Sequence, residues 1–312
     1  MMAFSATESA FEGFRVVRRN PLVILWWSLA YLIFFAVLLA AVGGPILAML
    51  PQLQALEGSE PSMDELMPIL NLYGTILLIA MPLGILLGAV LNAAVARSVL
   101  SPGSSAFGFM RLGMDEVRVA VVTFVLALVF IAIYVALVGV VAAATMAVYS
   151  ANEGGGVAVG ILAGLTAIFI FIWMAIRLSL AVPIVVAENR FAFFDSWGLT
   201  KGRFWSLLGM TLIAFVMAIV VSVLGAIIAM PLQFMGMAGF EETISGGEME
   251  SILAAIGPVV IVAVVVNLII STLQFAVLYA PFASAYLGLT GRGGDLESPV
   301  EPVAAVSGEP DL

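Results

Sequence analysis

Every lysine and arginine of this chain falls on one side of a set of long apolar runs, and that asymmetry limits the fold more than any motif does. Six runs, at about residues 21–42, 68–97, 119–149, 157–187, 204–233 and 252–289, are long enough to cross a bilayer. Crossing takes about 20 apolar residues as helix. Arg15, Arg18 and Arg19 precede the first run, and Arg97, Arg111 and Arg118 mark the passage from second to third. Arg177, Arg190, Lys201 and Arg203 mark the passage from fourth to fifth, and Arg292 follows the sixth. The other three connections carry no cation, so the positive-inside rule places both termini and the basic connections in the cytoplasm. One missed or extra span would send about half of the cations to the wrong side, so the asymmetry also supports the span count.

Composition agrees. Hydrophobic residues make up 63% of the chain and charged ones 10%, against roughly 45–50% and about 25% in a soluble domain. The expected fold class is an all-α integral membrane protein: one polytopic domain over residues 1–290 and a disordered acidic cytoplasmic tail over 291–312. The first run is about 22 residues, longer than the roughly 7–15 of a signal-peptide core, and reads as an uncleaved helix. Cysteine and histidine are absent, which removes disulfides, thiolate metal sites and the commonest general base. No catalytic residue, metal or cofactor is expected. The net charge of −9 argues against nucleic acid.

Short polar segments precede three of the spans. Ser5 to Glu8 has the form of a capping box. Glu8, Glu12, Arg15 and Arg19 then make a polar stripe, with Ala10, Phe14 and Val17 on the apolar side. This predicts a surface helix over Glu8–Arg19, ended by Asn20-Pro21. The stretch Phe107–Arg118 predicts a second, with Arg111 and Asp115 paired at i,i+4. Phe191–Lys201 predicts a third. Phe11-Glu12-Gly13-Phe14 aligns with Phe194-Asp195-Ser196-Trp197, so the chain reads as three units of surface helix plus hairpin, starting near 8, 105 and 191. Both a true triplication and the general taste of membrane boundaries for aromatics and cations produce such a pattern.

The densest local pattern is Arg177-x-Ser179-x-x-x-Pro183 followed by Asp195-Ser196-Trp197-Gly198-Leu199-Thr200-Lys201-Gly202-Arg203-Phe204-Trp205. It resembles the signature of the membrane domain found beside bacterial glycerophosphoryl diester phosphodiesterases and of related six-helix membrane proteins. The resemblance implies a bacterial inner membrane and a phospholipid setting. In some relatives a phosphodiesterase barrel with acidic and histidine residues is attached; this chain has no histidine, so that activity is not carried over.

Arg177 is the first candidate site residue, because an ionisable group in an apolar run is a functional hypothesis by default. Counted from Val157 it lies about 30 Å along its helix, at the inner edge of the hydrocarbon. Arg97 is placed similarly. Arg97, Arg177, Lys201 and Arg203 are thus expected either to hold phosphates of inner-leaflet lipids or to anchor the helices. The fourth span is expected either to tilt strongly or to break at Pro183, with Arg177 facing the bundle and bound to a carboxylate such as Asp195 or Glu188, or to a lipid phosphate. Gly84/Gly88 and Gly156/Gly160/Gly164 have the spacing of close helix contacts. Asn92, Gln233, Asn267, Ser271, Thr272 and Gln274 are read as interhelical hydrogen-bonding residues. The expected function is binding or organising membrane lipids, or scaffolding, with a homo-oligomer or a membrane-protein partner left open. The alternative is a transporter of a small solute or lipid, kept alive by Pro82, Pro183 and Pro231. No span core carries an aspartate or glutamate, as a proton-coupled carrier usually would.

Overall fold

The computed structural model of the protein describes residues 5–55, 62–103, 106–244 and 249–292. The described residues are nearly all helical, with no strands among them. Three long hairpins form the body: α3 (Leu22–Ala55) with α4 (Met63–Leu100), α5 (Met114–Tyr149) with α6 (Glu153–Leu178), and α9 (Phe204–Ile244) with α10 (Met249–Thr290). Short helices α1 (Ala6–Ala10) and α2 (Glu12–Arg19) precede the first, and α7 (Ala181–Glu188) and α8 (Asp195–Leu199) precede the last. Six segments are long and apolar enough to cross a membrane. This is a multi-pass membrane protein. The tail expected to be disordered lies outside the described residues from position 293 onward.

The packed core sits at one end. Val23 and Trp27 at the start of α3, Ala89 to Val99 at the end of α4, and Val119 and Val122 at the start of α5 belong to it. So do Leu178 to Val186, Leu207 and Met210, and Ala276 to Tyr286 at the end of α10. Because the helices alternate in direction, these positions mark the end that carries the arginines. Toward the opposite end Leu39, Leu78, Tyr134, Val140 and Leu165 are exposed. Lipid is as apolar as leucine, so helix contact in a bilayer depends on close packing of small residues. Ala89, Ala93, Ala94 and Ala96 on α4 and Ala276, Ala280 and Ala283 on α10 are buried at this end, where they supply it.

The glycine ladders divide. Gly156 and Gly160 are packed: an added Cβ would lie 2.5 Å from Tyr149 Cα and 2.9 Å from Thr145 Oγ1. Gly84, Gly88 and Gly164 face open space, with nothing within 4 Å of an added Cβ. On α4 the buried small residues instead include Ala89 and Ala93, each five positions beyond a ladder glycine. Thr272 bonds across helices as expected, its Oγ1 lying 3.2 Å from Ser28 Oγ. Asn92 and Asn267 instead donate to carbonyls of their own helices, Gly88 and Ala263. The side chain of Gln233 lies outside the described residues.

The surface segments are shorter and better anchored than their patterns predict. Ser5 caps α1 by accepting from the Glu8 N–H at 3.3 Å, and Phe11 separates α1 from α2. Gly13 rests on the α10 backbone, and Ser284 Oγ lies 3.2 Å from Ser9 Oγ. Buried Glu12 accepts from Arg15 and Arg19. The second expected helix is only a 3-10 turn, Ala106–Phe109, and Met114 begins α5 directly. Asp115 pairs with Arg118 at 2.7 Å instead of with Arg111. The third is the five-residue α8.

Pro82 and Pro231 lie inside unbroken helices. The break in the fourth span falls at Ser179 and Leu180, four residues ahead of its expected place. Pro183 has no N–H for the Ser179 carbonyl, so the ladder fails there; Pro183 itself sits in the first turn of α7, where prolines are tolerated.

Candidate functional site

At the last turn of α4, Arg97 is 6% exposed and Glu116, in the first turn of α5, is 3% exposed. They form a buried ion pair. Glu116 also accepts from the Gly113 N–H at 2.9 Å, and Arg97 donates to the Phe109 carbonyl at 2.7 Å. Three successive residues, Phe107, Gly108 and Phe109, have left-handed backbones with φ of 49°, 64° and 62°. Two of them are not glycine, a costly conformation that persists only where its surroundings enforce it. The enforcing groups are plain. Trp27 Nε1 donates to the Gly108 carbonyl at 2.8 Å, Trp26 meets the Phe107 ring edge-on, and Arg97 holds the next carbonyl.

The Arg97 Nε is buried and finds no hydrogen-bond partner among the described residues. Arg97 lines a cavity of about 390 Å³ together with Arg111, Arg292, Asp115, Asn189 and Tyr286. Arg111 and Arg292 are exposed. Asp115 is neutralised by Arg118 and Arg97 by Glu116, leaving Arg111 and Arg292 to set the sign of the cavity. It is cationic.

A polar chain links this cavity to the signature stretch. Arg292 donates to the Tyr286 hydroxyl at 3.2 Å, and that hydroxyl donates to Glu188 at 3.1 Å. Glu188 and Asp195 both accept from Arg190. These hydrogen bonds, Glu188 first and then Asp195, hold the Arg190 guanidinium above its ordinary pKa.

The signature itself closes the helix break. Ser196 donates to the Arg177 carbonyl at 2.7 Å and accepts from the Leu180 N–H at 3.1 Å, so one hydroxyl satisfies both sides of the interruption. Thr200 Oγ1 reaches the Ser196 carbonyl at 2.8 Å and the Arg177 carbonyl at 3.3 Å. The Arg177 guanidinium lies 5.5 Å from the Trp173 ring and 5.3 Å from that of Trp197, and donates to the Trp197 carbonyl at 3.3 Å. Gly202 turns the chain toward α9 with φ of 77°, a region that favours glycine.

The four cations singled out from the sequence therefore do not share one pocket. Arg97 lines the cationic cavity; Arg177 lies against two indoles that meet edge-on, its expected partners Asp195 and Glu188 being engaged by Arg190 instead. Lys201 and Arg203 are exposed beside Phe204 and Trp205, and Trp205 is 74% exposed. Sequence reasoning missed Glu116, Arg111 and Arg292. Arg111 was misassigned to the i,i+4 spacing, whereas the Glu116 partnership spans 19 positions and leaves no local pattern. Among the described residues no cluster of three acidic or other ligating side chains could hold a metal ion.

A family model described as a domain of unknown function (DUF7847) matches residues 5–289. The chain belongs to that family. The matched region runs from the α1 cap almost to the end of α10 and takes in Arg97, Arg111, Glu116 and the whole signature stretch, with Arg292 just beyond it. No curated protein and no solved structure matches the chain. The family description specifies no chemistry, so the geometry has to carry the functional argument.

Proposed function

We propose that this protein is a non-enzymatic lipid-binding protein of the bacterial inner membrane, with both termini in the cytoplasm. Its site is the cationic cavity, which receives the phosphate of a cytoplasmic-leaflet lipid. The observation that carries this reading is a cavity rimmed by Arg111 and Arg292, both exposed and neither in an ion pair among the described residues, with Arg97 in its wall. Basic pockets between helices on the cytoplasmic side of membrane proteins commonly hold anionic head groups. The volume falls within the roughly 300–1,000 Å³ of ligand sites. The acids around it, Glu116, Asp115 and Glu188, are each bound by an arginine or a tyrosine, which leaves them poorly placed as general bases.

Native mass spectrometry tests the proposal. The protein released from mixed phosphatidylglycerol and phosphatidylcholine nanodiscs should retain phosphatidylglycerol, and Arg111→Gln with Arg292→Gln should lose it at least fivefold. Equal retention of both lipids in the wild type would refute the reading. A transporter is the second reading, and its support is the interruption of the fourth span at Ser179 and Leu180, because broken helices line the substrate sites of many carriers.

A further inference from the structure

A second cavity is lined by α4, α5, α7 and α10 further from the arginine-bearing end than the first. Its volume is about 450 Å³, and its walls are mostly apolar: Phe130, Val182, Pro183, Phe282 and Ala283, with Ala127 also on its wall. Successive turns of the same helices line the two. On α4, Asn92 and Ala96 face the inner cavity and Arg97, Leu100 and Ser101 the cationic one. On α7 the division falls between Pro183 and Val186, and on α10 between Ala283 and Tyr286. Asp115 of α5 lies on the cationic side and Thr123, two turns on, on the apolar side. Asn92 and Ser101 are separated by about 14 Å along the helix at 1.5 Å per residue.

We infer that the two cavities are compartments of one site for an anionic amphiphile: a phosphate-bearing head among Arg97, Arg111 and Arg292, and a single acyl chain between α4, α5, α7 and α10. This rests on the phosphate reading above and adds the ligand's class, a one-chain phospholipid or alkyl phosphate instead of a bulk two-chain lipid held only by its head. Three observations converge on it. The cationic side carries the unpartnered Arg97 Nε, whose residue is 6% exposed. The apolar side is sealed toward the core by small side chains, Ala96, Ala181 and Ala283, so that the space is built into the packing. On the apolar side, Thr123 is the α5 lining residue nearest the cationic end, and its Oγ1 is buried without a partner among the described residues.

The test is photo-crosslinking in phosphatidylcholine nanodiscs with lysophosphatidic acid bearing a diazirine in its acyl chain, the labelled residues being mapped by mass spectrometry. Label should concentrate on Phe130, Val182 and Phe282 and be displaced by excess unlabelled lysophosphatidic acid. Ala127→Phe, which fills the apolar side, and the Arg111→Gln/Arg292→Gln pair should each reduce that label at least fivefold. Label on the lipid-facing Phe124 and Leu128 that still depends on the arginines would overturn the chain compartment and leave the phosphate site standing. Diffuse label indifferent to the arginines would overturn both. If a variant fails to fold, the wild-type map and its displacement by unlabelled lysophosphatidic acid still decide the chain compartment: displaceable label on Phe130, Val182 and Phe282 supports it, and label on Phe124 and Leu128 overturns it.

Discussion

Gly13 of α2 lies so close to α10 that a side-chain carbon placed on it would sit 2.5 Å from the Ala276 carbonyl oxygen. The neighbour is backbone, so it cannot swing aside. Gly13→Leu should therefore lift the N-terminal arm off the bundle, at the roughly 1–3 kcal/mol of overpacking. In purified protein, tryptic cleavage at Arg15, Arg18 and Arg19 should rise severalfold. An unchanged cleavage rate and melting temperature would show that the arm does not depend on this contact.

Arg97 and Glu116 should behave as a unit. Removing one partner leaves the other buried and uncompensated, which costs about 3–5 kcal/mol. Arg97→Met and Glu116→Leu should each destabilise strongly in thermal unfolding. The double variant should cost less than the sum, with a coupling energy above about 1 kcal/mol. Strict additivity would mean that the pair contributes nothing as a pair.

Ser196 is expected to matter more than Thr200, although both hydroxyls reach the same break. Ser196→Ala strands the Leu180 N–H and leaves the Arg177 carbonyl with only a long bond to Thr200, at about 1–3 kcal/mol for buried groups. Thr200→Val should cost less, since its hydroxyl serves mainly the carbonyl of its own helix. Unfolding midpoints of the two variants, measured in the same detergent, check the order.

Arg177 interacts with indole faces. Arg177→Lys keeps the charge but loses the planar stacking, and should cost about 1 kcal/mol and shift the tryptophan emission. Asp195→Asn should leave that emission unchanged. If Asp195→Asn reproduces the Arg177→Lys shift, the carboxylate is a partner after all.

Orientation is open to a direct chemical check. Cysteine introduced at position 111 or 190, in a chain with no native cysteine, should react with an impermeant maleimide only after the cells are opened. Labelling of intact cells at either position would reverse the assignment.

The spans were legible because hydropathy is a local property: a run of about 20 apolar residues announces itself whatever it packs against. The break near Pro183 was legible for the same reason, and its displacement to Ser179 and Leu180 follows from which carbonyl the proline leaves unserved. What the sequence hid was partnership. Glu116 carries no local signal, because nothing within a few residues of it points to Arg97. Arg111 and Asp115 had the right spacing, yet Asp115 turned to Arg118. The aromatic Phe107-Gly108-Phe109 read as part of an amphipathic helix, because its left-handed turn is imposed from outside by Trp26, Trp27 and Arg97. Gly84 and Gly88 carried the expected close-packing motif, yet the small residues buried on α4 are alanines, Ala89 and Ala93 among them.

The confinement of the core to one end has a mechanical corollary. The far halves of α3 to α6 leave that core as two hairpins, α5 and α6 closed on each other at Gly156 and Gly160 while Leu39, Leu78, Tyr134 and Leu165 face outward. A change in bilayer thickness or lateral pressure would act on these hairpins with the lever arm of several helical turns. Any such load would reach the root, where α4 and α5 line the two cavities, and on the proposed reading it would alter the volume open to a bound chain.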